Sequence, residues 1–490
     1  MEIAMVCTRV NLLILILSLC SPYKFIQSPM DFGPLNLLPT TIAASSDFGK
    51  VTVAARGAGH SIHGQAQALD GIVVEMRSLP AEIELHKGGE GDVSYADVSG
   101  GAMWIELLEQ SLKAGLAPRS WTDYLYITIG GTLSNAGISG QTFKHGPQIS
   151  NVLQLEVVTG RGETVTCSPT KNAELFSAVL GGLGQFGIIT RARILLQEAP
   201  QKVKWVRAFY DDFGTFTKDQ ELLVSMPDMV DYVEGFIVLN EQSLHSSSIA
   251  FPANMDFSPD FGTKGSPKIY YCIEFAVHDY QRKNTNVEQV VEAISVQMSH
   301  IASHLYSVEV SYFDFLNRVR MEEMSLRSSG LWEVHHPWLN MFVPKAGIRD
   351  LRDLLMDNIS PDNFEGLILI YPLLRDKWGT NTSVVLPDSG STEQVMYVVG
   401  ILRSANPDEG CSHHCLQELL RRHRHIADTA GVRIGAKQYL AHHPTPAGWH
   451  QHFGPRWERF VERKNRFDPL SILGPGQGIF PKGSTGVYAS

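Results

Sequence analysis

Between positions 51 and 193 apolar residues alternate with polar ones in short runs separated by glycine turns. The runs are VTVAAR at 51–56, GIVVEM at 71–76, YADVSG at 95–100, LQLEVVTG at 153–160, ETVTC at 163–167 and IITRARILL at 188–196. A period of two marks half-buried strands. A helical period over 102–114 separates two of them, and Asn172 stands where it would cap a helix running to 180. This part reads as an α+β domain. From about 197 to 438 the strands lengthen: VEGFIVL at 233–239, KIYYCIEFAV at 268–277, WLNMFV at 338–343, GLILIYPL at 366–373 and QVMYVVGILR at 394–403. Helical patterns cover 286–303, 312–326 and 416–430, so a second sheet with covering helices is expected. After 439 the chain reads as loop-rich, with GPGQG at 474–478, and as a short return to the first domain.

A length of 490 residues agrees with at least two domains. Forty-one basic against fifty-one acidic residues give a net charge of -10 with no Lys/Arg stripe, which argues against nucleic-acid binding. Residues 1–28 hold Arg9, then the apolar run NLLILILSL and Cys20-Ser21-Pro22; this is the pattern of a secretory signal peptide. The run is too short to span a bilayer, so no membrane anchor is expected. Cleavage would leave Cys167, Cys272, Cys411 and Cys415, too few for a disulfide scaffold in so long a chain. Cys411-Ser-His-His-Cys415 lacks a second ligand pair at zinc spacing and reads as an exposed loop, with a bridge between its cysteines rather than a metal. The sequons Asn358-Ile-Ser and Asn381-Thr-Ser suit a secreted chain.

Two glycine-rich segments carry the candidate chemistry. ARGAGHSIHGQ at 55–65 follows a β run and places small residues around His60; glycines let backbone N–H groups close on a pyrophosphate. Its G-x-G-x4-G spacing is not the Rossmann fingerprint. A true G-x-G-x-x-G at 182–187 follows a helix and opens a strand, the wrong context, and reads as a turn. The second segment, TIGGTLSNAGISG at 128–140, offers hydroxyls, an amide and close backbone to a nucleotide. Strand alternation puts Tyr232, Glu234 and Phe236 on one face, and Trp338 with Asn340 on another.

RGAGHSIHGQA, WTDYLYITIGGTLSNAGISGQ, LFSAVLGGLGQFGIITRARI, HPWLNMFVP, KQYLAHH and GPGQGIF together resemble, in order, the signature segments of plant cytokinin dehydrogenases, within the vanillyl-alcohol-oxidase or PCMH-type FAD-binding flavoproteins. They span 56–480. The resemblance implies a two-domain fold: a PCMH-type FAD-binding domain from 29–196 completed by 439–490, and a separate α+β substrate domain on an antiparallel sheet at 197–438. It implies FAD bound covalently through His60, with Gly57, Ala58, Gly59, Ser61, Gln65, Asp123, Thr128, Ser134, Ile138, Ile189, Tyr439 and Gln477 as further cofactor contacts. Asp123 becomes the catalytic acid-base group and Glu234 the acceptor for the purine ring N–H; Trp338, Asn340 and Leu440 complete the substrate site, and no metal is implied. The implied reaction removes the N6 side chain of N6-isopentenyladenine or zeatin as an unsaturated aldehyde, leaving adenine, with a quinone-type compound or O2 as electron acceptor. The implied location is the apoplast, or the vacuole, by the secretory route.

One departure stands out. Between Asp31-Phe32-Gly33 and AARG, a stretch that supplies a strand and a helix in the family is largely missing, so the FAD domain is shortened between 34 and 50. Two other readings therefore compete: a different covalent-FAD oxidoreductase such as a sugar or aldonolactone oxidase, and an inactive protein that binds adenine-type hormones without flavin.

Overall fold

The computed structural model describes residues 51–480, apart from 90, 264–265, 281–285, 389–392 and 408–410. The expected leader and the shortened stretch between 34 and 50 lie outside the described residues.

The first domain holds a two-stranded parallel pair, Val53–Arg56 beside Ile72–Glu75, and a six-stranded antiparallel sheet. In that sheet the order is Ile83–His86, Tyr95–Ser99, Ile188–Glu198, Val152–Val158 and Thr164–Cys167, with Leu116–Pro118 also on Ile188–Glu198. Helix Trp104–Lys113 buries Trp104, Leu107 and Leu108, and Glu106 folds back to accept the Met103 N–H at 2.7 Å, satisfying a free donor of the first turn. Helix Ala173–Val179 begins where Asn172 predicts, but Asn172 does not cap it. Its backbone is left-handed and its amide donates to the Thr166 carbonyl instead.

The second domain is an eight-stranded antiparallel sheet. Its order is Leu305–Ser311, Lys202–Tyr210, Tyr270–Asp279, Tyr232–Val238, Leu367–Leu374, Val395–Leu402, Leu339–Pro344 and Lys437–Tyr439. Side chains alternate across it. One face packs Val206, Ile237, Ile273 and Val399 against Phe216, Ile294, Leu351 and Ile426 from helices Phe213–Val224, Val287–Ser295, Ile348–Asn358 and His413–Ile434. The other face carries Arg207, Glu274, Glu234 and Tyr371 side by side in register.

Three expectations change. The pattern over 286–303 is helical only to Ser295, and Leu305–Ser311 then becomes an edge strand. The pattern over 312–326 breaks into Tyr312–Leu316 and Val319–Ser328. The tail is not loop-rich: Thr445 caps helix Pro446–Phe453, and Trp457–Phe467 follows. Trp457, Phe460, Val461 and Phe467 fall at helical spacing on one face of the second helix, a signal the sequence carries among its many charged residues. Cys411 and Cys415 form a disulfide at the start of the long helix His413–Ile434, as the loop reading allows. No helix among the described residues is long and apolar enough to cross a membrane.

The tail helices join the first domain's core, where Phe460 meets Phe186 at 4.8 Å between ring centres. Beside them the buried pair Lys464–Asp468 closes at 2.8 Å. Asp468 accepts the N–H groups of Ile472 and Leu473, and Lys464 donates to the carbonyls of Gln185 and Leu473. Ile472 in turn accepts the Val53 N–H at 2.6 Å, so the tail lies alongside the chain's first described strand. Removing one partner of a buried pair strands the other charge, at a cost of about 3–5 kcal/mol. Asp468→Ala should lose stability of that order in urea unfolding, and adding Lys464→Met should recover most of it. An Asp468→Ala protein as stable as the parent would contradict this account.

Candidate active site

Both domains and the tail face one cavity of about 1100 Å³. Pockets for drug-sized ligands run to roughly 300–1,000 Å³, so there is room here for a dinucleotide and a second small molecule. Every site residue expected from the sequence lines it. Gly57, Ala58, Gly59, His60, Ser61 and Gln65 come from the loop after strand Val53–Arg56. Asp123, Thr128, Ser134 and Ile138 come from the second glycine-rich region, and Ile189 from strand Ile188–Glu198. Glu234, Trp338 and Asn340 come from the large sheet, with Tyr439 opposite Asn340 on its edge strand. Leu440 and Gln477 come from the tail.

The loop holding His60 is braced from two sides. Gly59 takes φ 81°, a conformation that glycine adopts freely. Gly476 lies so close to the loop that a Cβ there would stand 2.1 Å from the Gly64 carbonyl oxygen. His63 stacks on His442 at 4.3 Å. His60 meets Tyr124 edge-on at 5.0 Å and Trp332 at 6.0 Å. Burial moves its pKa below the usual histidine value, against the opposing pull of Glu323, so the imidazole is neutral at neutral pH. Leu440 holds φ 55°, a strained conformation costing about 1–3 kcal/mol, of the kind that clusters at functional sites.

Deeper in, two carboxyls face each other across a single guanidinium. Arg318 Nη2 lies 3.1 Å from Asp123 Oδ1 and 3.5 Å from Glu234 Oε2, and also bonds the Tyr232 hydroxyl. Burial, aided by the Asp123 charge, lifts the Glu234 pKa well above the carboxylate range. Burial thus favours the neutral form of Glu234, whose Oε1 is buried without a partner among the described residues. Gln477 Oε1, on the opposite wall, is buried and unpartnered likewise. Buried polar atoms are nearly always satisfied, so these two fit a ligand that supplies hydrogen bonds at both ends of the cavity. Glycine-rich backbone at one end and a carboxyl set among aromatics at the other fit a dinucleotide and a heteroaromatic ring respectively.

The sequence reading missed several residues of this cavity. Arg207 could have been found, because alternation in KVKWVRAFY puts it on the face of Trp205; it pairs with Glu274 at 2.5 Å, both buried. Glu322, raised to about 7 by burial, and Arg318 gave no periodic signal, since they flank a helix break. The turn at 182–187 is a turn as read, yet Leu183, Gly184 and Gly187 line the cavity.

Residues 200–480 match the family model described as cytokinin dehydrogenase 1, FAD and cytokinin binding. Residues 41–168 match that of an FAD binding domain. Cytokinin dehydrogenase 3 of Oryza sativa subsp. japonica is 82% identical, with all of both chains covered. The chain belongs to the cytokinin dehydrogenase family. Another cytokinin dehydrogenase, number 8 of Oryza sativa subsp. indica, is 60% identical over 96% of this chain and 97% of its own. Cytokinin dehydrogenase 1 of Arabidopsis thaliana is 47% identical over 88% and 74%. The alignment with the 82%-identical cytokinin dehydrogenase runs over 525 positions against 490 residues here, so that relative carries residues this chain lacks. Among solved structures, a VAO-type flavoprotein of Myceliophthora thermophila C1 shares the fold, with a TM-score of 0.60 at 15% identity over 88% of this chain and 75% of that one.

Gly476→Ala should push the His60 loop off the tail. Purified variant protein is expected to carry less flavin than the parent while keeping its far-ultraviolet circular dichroism; full flavin content would refute the brace.

Proposed function

We propose that this protein is an FAD-dependent cytokinin dehydrogenase that removes the N6 side chain of N6-isopentenyladenine or zeatin. The observation that carries the reading is the single cavity in which the glycine loop of His60 meets the Asp123 and Glu234 carboxyls. Bound FAD supplies a two-electron acceptor for the hydride leaving the carbon beside N6.

The protein's own groups do the rest. A neutral imidazole is a competent nucleophile, which supports His60 as the covalent anchor of the flavin. Gly57, Ala58, Gly59, Ser61, Gln65, Thr128, Ser134, Ile138, Ile189, Tyr439 and Gln477 hold the remainder of the cofactor. Asp123 takes the N6 proton as the C=N bond forms. Glu234 accepts the ring N–H, which its neutral form still does through Oε1, the oxygen left without a partner. Trp338 and Leu440 wall the adenine and Asn340 adds a polar contact. Water then splits the imine to adenine and an unsaturated aldehyde. A quinone-type acceptor or O2 takes the two electrons.

The apolar run before residue 20, the exposed sequon Asn381 and the Cys411–Cys415 disulfide support entry into the secretory pathway, with the apoplast as destination. We place the missing residues between 34 and 50, in front of strand Val53–Arg56.

The test is the visible spectrum under argon before and after N6-isopentenyladenine is added. Bleaching of bound flavin with release of adenine supports the reading. Colourless protein returns it to an inactive binder, and bleaching without adenine to another oxidase. His60→Ala should lose flavin that survives acid precipitation; covalent flavin equal to the parent's would remove His60 from that role. Asp123→Asn should keep flavin and lose roughly 10²–10⁴ in kcat, measured by stopped-flow bleaching, and an unchanged rate would rule it out as the base.

A further inference from the structure

The carboxyl centre has two acids and one nearby cation, and the surrounding charges are already committed. Arg207, on strand Lys202–Tyr210, pairs with Glu274 of the neighbouring strand and also donates to the Ser247 carbonyl. Glu323 is held by Arg320 and Arg327. Arg318 is the one cation, among the described residues, paired with both Asp123 and Glu234.

Its placement is unusually fixed for a long side chain. Arg318 lies in the break between helices Tyr312–Leu316 and Val319–Ser328. Its Nη1 donates to the Phe315 carbonyl at 3.2 Å, and its guanidinium carbon lies 4.9 Å from the Tyr232 ring centre and 5.1 Å from that of Phe315. Nη2 is thereby aimed at the Tyr232 hydroxyl and the two carboxyls. The Tyr232 hydroxyl in turn donates a hydrogen bond to Asp123 Oδ1 at 3.5 Å. Two donors thus converge on one oxygen of Asp123, while Glu234 meets Nη2 at a longer 3.5 Å and shares hydrogen bonds with Tyr232 and with Asp123 itself. The other titratable groups around the centre are Glu322 on the helix, Glu274 on the adjacent strand, and the phenols Tyr371 and Tyr439.

A buried centre with one cation tolerates one anion far better than two. We infer that Arg318 is a positioning residue that makes Asp123 the ionised member of the pair and Glu234 the protonated one. The inference rests on the proposed reaction. Two donors anchor Asp123 Oδ1 and leave Oδ2 to take the N6 proton, as hydride leaves the neighbouring carbon for FAD and the C–N bond becomes C=N. The same arrangement leaves Glu234 Oε1 for the ring. Arg318 needs no contact with substrate to do this.

Arg318→Gln and Arg318→Lys test it. Arg318→Gln should keep covalent flavin, lower kcat on the order of 10²-fold with a much smaller change in KM, and move the acidic limb of kcat/KM upward by about one pH unit. Arg318→Lys should recover part of the rate and most of the limb. A second readout needs no turnover. Infrared pH titration of the substrate-free proteins should show, about one pH unit higher in Arg318→Gln than in the parent, a new protonated-carboxyl band that adding Asp123→Asn abolishes. An unmoved pH limb without the new band would overturn the inference, as would a rate loss that only follows lost flavin or lost thermal stability. If the parent does not bleach with N6-isopentenyladenine, the functional reading fails, while the infrared bands still decide the role of Arg318.

Discussion

The buried pair Lys464–Asp468 is the joint on which the His60 end of the cavity depends. Neither side chain reaches solvent, and between them they fix the backbone of Ile472 and Leu473. That backbone runs alongside Val53, the start of the strand that launches the His60 loop, and Gly476 then presses on the loop itself. A charge pair far from solvent is seldom the cheapest way to fill a core. Here its hydrogen bonds to backbone groups give it a task that an apolar pair could not perform.

The large sheet supplies the other half of the site by dividing labour between its faces. Alternate residues of one strand, Val233 and Ile237 against Glu234 and Phe236, serve the helix-covered core and the cavity respectively. Antiparallel register sets Arg207, Glu274 and Glu234 in a row. Burial alone would leave such a row too costly. Pairing Arg207 with Glu274, and Arg318 with Asp123, makes it tolerable and gives each carboxyl a distinct state.

Much of this was legible in the sequence because it follows from local rules. Period-two runs located most strands, and alternation correctly put Glu234 between Tyr232 and Phe236 on one face. The glycine segments marked one wall of the cavity. What escaped was set by tertiary contacts. Arg318 acquires its position from a helix break that no residue period announces, and the tail helices are held by Trp449, Phe453 and Phe460 against a distant core. The N-cap expected of Asn172 failed because its amide found the Thr166 carbonyl instead.

The brace of the His60 loop by residues 472–478 has a consequence in time. A ribosome releases the loop early and its support last, some four hundred residues later. Until then strand Val53–Arg56 has, among the described residues, Ile72–Glu75 beside it but not the tail at 472–473. The brace on the His60 loop is therefore complete only when the chain is, and every nascent molecule passes through synthesis of the whole substrate domain with that loop unbraced by the tail. Such intervals are where exposed segments of large chains are open to misassembly.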